Sequence, residues 1–177
     1  MMAPISKSHL TRLLNKYDAA TTNTDKGKFF TDTAEYVFKK ISGLTLSARD
    51  AIDDPGEHEL DLAFWNDQTK LGLPFLPHIL LLECKGTQDA VGTAQINHFA
   101  TKVQARALSH GILIAANGVT GSANGRRNAN AALRHHLAQR VSIVVITRAE
   151  LEILTDSSEL IALLKQKLTN LAVGRAV

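Results

Sequence analysis

Apolar residues recur along this chain in two rhythms. Leu10, Leu13, Leu14 and Tyr17 fall at the three-and-four spacing of one helical face, predicting a short helix over about 6–20. The polar stretch TTNTDKGK that follows reads as a loop. Phe30, Ala34, Val37, Phe38 and Ile41 repeat the helical spacing, and Gly43 stands just beyond as a stop. Glu35 lies at the border of that stripe, where a carboxylate either reaches solvent or points into a neighbouring cleft; spacing leaves both open. The rhythm then shortens to two. LTLSARDAI is a plausible strand, and in HELDLAFW the residues Leu60, Leu62 and Phe64 alternate with Glu59, Asp61 and Ala63, so Glu59 and Asp61 share a face.

A loop broken by Gly72, Pro74 and Pro77 leads into HILLLECKG, a run apolar enough to lie buried within a sheet, with Ile79, Leu81, Glu83 and Lys85 on one face. A helix from about Val91 to Ser109 follows, then strand GILIAAN, loop GVTGSANG, an Ala-rich helix to about Arg140, strand SIVVITR and a final amphipathic helix. One helical region, three strands and then alternating helices and strands predict an α/β sandwich on a mixed sheet. A length of 177 residues suits one domain with a real core, and no repeat, low-complexity tract or linker divides it.

Composition narrows the possibilities. No apolar run approaches the roughly 18 residues of a membrane span, and MMAPISKSHLTRLL lacks the apolar core of a secretory signal, so a cytoplasmic protein with no membrane partner is expected. Cys84 is the only cysteine, which excludes an internal disulfide and any cysteine-rich zinc site. The net charge of +3 is mild, but its distribution is uneven. From Asp50 to Asp67 there are seven acidic residues and no Lys or Arg; from Ala90 to Arg148 there are seven basic residues and no Asp or Glu. A cation-binding half thus sits beside an anion-binding half, unless both are simply solvated faces.

The chemistry concentrates at the end of the apolar strand. Glu83 and Lys85 point the same way, and burying such charges without partners is costly. Asp61 reaches the same face if the two strands pair. Two carboxylates and a backbone carbonyl, that of Cys84, suit an oxygen-ligated Mg²⁺ that keeps several waters, and a nearby lysine can orient or deprotonate an attacking water. On the next helix Gln95, His98, Lys102 and Arg106 form one stripe, and Arg127, Asn130 and Arg134 form another on the later helix; both can track phosphates with affinity and little sequence specificity. Adjacent His135 and His136 point to different sides of a helix and make a poor metal pair. The Cys84 side chain faces away from the site and reads as a small buried hydrophobe, and Trp65 reads as packing.

In order and context, Asp61, Glu83-Cys84-Lys85 and Gln95 resemble the PD-(D/E)XK, restriction-endonuclease-like nucleases, in particular the Mrr-like branch. KGKFFTDTAEYVF resembles the family's first helix, which implies that Glu35 is its acidic residue near the metal. HELDLAFWND resembles the strand with the metal-binding aspartate, here Asp61, and LLLECKGT the (D/E)XK strand, implying metal binding by Glu83 and water activation by Lys85. No proline precedes Asp61, a departure from the pattern that names the family.

The resemblance covers about Lys26 to Glu150. It implies an α/β/α sandwich with a central mixed sheet: an N-terminal helical extension over 1–25, a core over 26–150 and a C-terminal helix over 151–177. It also implies a metal-dependent endonuclease using Mg²⁺ or Mn²⁺ on DNA, in defence against foreign DNA or DNA processing. Asp61, Glu83, Lys85, Glu35 and Gln95 would be its catalytic residues, and Lys102, Arg106, Arg127 and Arg134 its nucleic-acid contacts. Cutting both strands calls for a second active site, so a homodimer is expected. The alternatives are a non-catalytic nucleic-acid-binding subunit, or a nuclease effector switched on by a partner protein or signalling ligand.

Overall fold

The computed structural model describes residues 3–52, 59–120 and 126–175, with backbone only for 126–128. Helices α1 (Lys7–Ala19) and α2 (Asn23–Phe38) precede strands β1 (Leu44–Ile52), β2 (Glu59–Asn66) and β3 (Ile79–Lys85). Helix α3 (Thr93–Ala105), strand β4 (His110–Ala115), helix α4 (Arg126–Ala138), strand β5 (Ser142–Thr147), the short α5 (Arg148–Glu152) and α6 (Ser157–Ala172) follow. The five strands lie in chain order, with β1, β2 and β3 antiparallel and β3, β4 and β5 parallel. This is the expected mixed sheet: hairpin-like neighbours need only short loops, whereas each parallel step needs a crossover helix, here α3 and α4.

The sheet is covered on both faces. Leu62, Phe64, Leu80, Leu82, Ile112, Ile114, Val144 and Ile146 pack against residues of α1, α2 and α6. Ala63, Leu81, Leu113, Ala115, Ile143 and Val145 pack against α3 and α4. The helical stripe expected on α1 is buried as a set, and Phe30, Ala34, Val37 and Phe38 of α2 are sealed from solvent. Each of the larger side chains among them contributes about 2 kcal/mol by leaving water.

The start of α2 differs from the sequence expectation. The stretch TTNTDKGK is not a loop: α2 starts at Asn23, capped by the Thr22 hydroxyl, which accepts from the Asp25 N–H and donates to its carboxylate. Its residues are polar because the first two turns of α2 project past the core, and the apolar stripe begins only at Phe30. Two glycines set how closely helices approach the site. A Cβ on Gly86 would meet the Lys26 carbonyl oxygen at 2.9 Å, so α2 lies directly against the end of β3. A Cβ on Gly111 would meet the Phe99 ring at 2.8 Å and Val103 at 2.9 Å, so α3 lies close on β4 beside β3.

Candidate active site

The antiparallel ladder between β2 and β3 runs from Trp65 opposite Ile79 to Leu62 opposite Leu82 and goes no further. Beyond it the Asp61 carboxylate takes the place of a backbone acceptor: the Cys84 N–H donates to Asp61 Oδ2 at 2.6 Å. In an extended strand the N–H and C=O of one residue point to the same edge, so the Cys84 carbonyl also faces this gap. Asp61 and Cys84 line a cleft of about 360 Å³, together with Glu59, Asp50 and the polar turns of α2 at Thr24, Gly27, Lys28 and Thr31.

Glu83 sits behind Asp61 and is 2% exposed. Lys85 Nζ lies 2.8 Å from its Oε1, and Lys102 Nζ lies 2.9 Å from Oε2 and 3.1 Å from Oε1. Lys102 also donates to the Glu59 carbonyl at 2.7 Å. Two carboxylates thus face two ammonium groups in a largely dry pocket. Burial, and then repulsion from Glu83, push the Asp61 carboxyl up to about 6 despite the Cys84 N–H and the two lysines. Burial disfavours the charge on Lys85, but the attraction and hydrogen bond of Glu83 outweigh it and hold Lys85 above the ordinary lysine value. Lys85 is therefore held as an ammonium donor by Glu83. Burial raises the Cys84 thiol well above its usual range, and its side chain packs in the cluster with Phe30, as expected of a small hydrophobe.

The structure brings Asp61, Glu83, Cys84 and Lys85 together and places other candidates elsewhere. Glu35 is one turn past Thr31; its oxygens accept from Lys39 at 2.9 Å and from Arg49 at 2.7 Å, and it is not among the residues lining the cleft. Burial raises its pKa, but those two cations more than compensate and hold it low. Gln95 is exposed and caps α3: its Oε1 accepts the Gly92 N–H at 2.9 Å. Lys102 corrects the expectation of a surface phosphate contact, because it is 4% exposed and its ammonium is spent on Glu83 and Glu59. Arg106 is half-buried and donates to the Lys102 carbonyl. Arg134 is exposed and donates to the Gly174 carbonyl at the end of α6. The side chain of Arg127 lies outside the described residues.

Sequence reasoning missed Lys28 because it treated the start of α2 as loop, and Thr31 because a lone threonine on a helix carries no signal of the cleft it lines. It missed the core position of Lys102 because that residue sits on the border of the Ile96, Phe99 and Val103 stripe.

An oxygen-ligated divalent ion suits the donors at the gap: the Asp61 carboxylate, raised in pKa by burial and then by Glu83, the Glu83 carboxylate near it, and the Cys84 carbonyl. Among the described residues no three His, Cys, Asp or Glu side chains gather as a ready-made metal cluster. That is compatible with Mg²⁺, which commonly uses one or two carboxylates and keeps its waters.

Residues 22–154 match the model of the Mrr_cat family, a restriction endonuclease family. The chain belongs to that family. The match runs from the cap of α2 to the residue pair after α5, so this Mrr_cat nuclease domain takes in every strand of the sheet and all the residues of the cleft, while α1 and α6 flank it. No curated protein matches the chain. No helix among the described residues is long and apolar enough to cross a membrane.

Proposed function

We propose that this chain is a divalent-metal-dependent endonuclease that hydrolyses DNA phosphodiester bonds, acting in the cytoplasm in defence against foreign DNA or in DNA processing. The observation that carries this reading is the opened end of the β2–β3 pair, where Asp61, Glu83 and the Cys84 carbonyl converge beside Lys85 in the family's catalytic domain. Asp61, Glu83 and the Cys84 carbonyl would hold Mg²⁺ or Mn²⁺. When bound, the ion supplies charge neutralisation at the phosphate and a more acidic water.

The chain's own residues do the rest. Lys85, held as an ammonium by Glu83, orients the attacking water and offers a proton-bearing donor to charge developing on the phosphate. The Cys84 N–H fixes Asp61 Oδ2, leaving its second oxygen for the cleft. Lys28 and Thr24, on the cleft wall opposite the sheet, are placed to meet the nucleic-acid backbone. Arg106, Arg127 and Arg134 would extend phosphate contact outside the cleft, and a homodimer would supply the second active site needed for both strands.

The test is cleavage of supercoiled plasmid, single-stranded DNA and RNA by wild type and Asp61→Asn, with Mg²⁺, Mn²⁺ or EDTA. Asparagine keeps an acceptor for the Cys84 N–H, so the fold is retained. Products from wild type alone, stopped by EDTA, are expected; metal-independent DNA retention by both proteins with no products would favour a binding subunit instead.

A further inference from the structure

Lys102 is the one buried charge of the site that the proposed chemistry leaves unused. It is 4% exposed and donates to both oxygens of Glu83 and to the Glu59 carbonyl, reaching across from α3 to β3 and to the start of β2. Gly111 makes this reach possible by letting α3 settle on β4. A lysine ordinarily keeps its head in water and buries only its stem, whereas here the head itself is buried. Its desolvation is offset by one full carboxylate and one carbonyl, which is the construction of a deliberate counter-ion. With Lys85 it brings the charge around Asp61 and Glu83 to zero when all four groups are ionised.

We infer that Lys102 is a positioning residue that acts as the built-in counter-cation of Glu83 and competes with a divalent ion for that carboxylate. The inference rests on the metal-dependent reading of the same site. It follows that the metal-free pocket is electrically complete and holds a divalent ion weakly. A phosphate diester entering the cleft adds a negative charge that offsets part of the ion's charge and raises its affinity. Lys102 thereby ties metal occupancy to the presence of substrate. Lys85 is 28% exposed at its side chain, so it does not share this sealed position.

Mn²⁺ binding to the full chain, followed by the electron paramagnetic resonance of free Mn²⁺, tests this without reference to cleavage. Lys102→Gln removes the charge but keeps a donor for the Glu59 carbonyl, and Lys102→Met removes both. Each should bind Mn²⁺ roughly tenfold more tightly than wild type, since one unit charge has left the immediate surroundings of Glu83. Lys102→Arg keeps the charge and should bind as wild type does. Adding an uncleavable phosphorothioate oligonucleotide should tighten Mn²⁺ binding to wild type much more than to Lys102→Gln.

Thermal melts establish which variants are folded, and the conclusion is drawn from the glutamine variant if the methionine variant does not fold. Equal or weaker Mn²⁺ affinity in folded Lys102→Gln overturns the inference while leaving the nuclease reading intact, provided wild type binds and cuts. If neither wild type nor Lys102→Gln binds Mn²⁺, both readings fall.

Discussion

The two ends of the β2–β3 pair bury polar groups in opposite ways. At one end Asn66 is fully buried and its side-chain amide donates to the carbonyls of Leu73, Leu76 and Pro77, while its oxygen accepts from the Gln68 N–H. Its backbone N–H continues the pairing to the His78 carbonyl at 2.7 Å. All of these partners are neutral and lie in the connection between β2 and β3, so the end is closed. At the other end the ladder breaks off, a carboxylate replaces a backbone acceptor, and four ionisable groups share a small dry space. A buried amide with satisfied bonds stabilises a fold; a carboxylate such as Asp61, buried and set beside a second carboxylate, does not. The contrast separates the residue that holds the strands together from the residues to which we assign the chemistry.

Altering each end should therefore produce different failures. The largest effect expected is on activity: Asp61→Asn should lower plasmid cleavage at least about a hundredfold, the scale of losing one group that stabilises developing charge, while melting no lower than wild type at neutral pH. Asn66→Ala should do the reverse. It strips donors from three buried or partly buried carbonyls and should cost about 3 kcal/mol in a denaturant titration, with kcat of the remaining folded protein near that of wild type. A wild-type melt after Asn66→Ala, or an unfolded Asp61→Asn, would erase the distinction between the two ends.

The pH dependence sharpens the comparison. The carboxyl of Asp61 is raised in the folded chain from 3.8 to about 6, so the folded state holds its proton more tightly than the unfolded state does. The associated stability is fully present below about pH 4 and is lost as pH rises through 6. Melting in EDTA should show wild type losing on the order of 2 kcal/mol relative to Asp61→Asn across that window. A parallel pair of curves would mean that Asp61 is not in the repulsive environment described. The smallest effect belongs to Gln95→Ala, which removes a helix cap: about 1 kcal/mol or less of stability is expected to go, with cleavage close to wild type. A collapse of kcat there would place Gln95 at the substrate after all.

Much of this arrangement was legible in the sequence because periodicity reports burial directly. The stripes of α1 and α2, the order of the five strands and the gathering of Asp61, Glu83 and Lys85 all follow from which positions are apolar and which way a strand points its side chains. What was not legible depends on contacts across elements. The partners of Glu35 are Arg49 on β1 as well as Lys39 at the cap of its own helix, and only the packed structure shows both carboxylate oxygens taken. Lys102 looked like surface because lysines at the edge of an apolar stripe usually are; the close approach at Gly111 draws it inward. Trp65 read as packing, yet it is 45% exposed; its contacts are a stack on the His78 ring and a hydrogen bond donated to Asp67. The start of α2 looked like loop because its turns cover a polar cleft and not the core.

The central claim is that the open end of the β2–β3 pair holds a divalent ion between Asp61 and Glu83. Its most direct test is the shift in melting temperature on adding Mn²⁺ to wild type and to Asp61→Asn at neutral pH. Wild type should rise in melting temperature with Mn²⁺ in a saturable way while Asp61→Asn stays where it is; equal shifts in the two proteins would place any bound metal elsewhere and contradict the account.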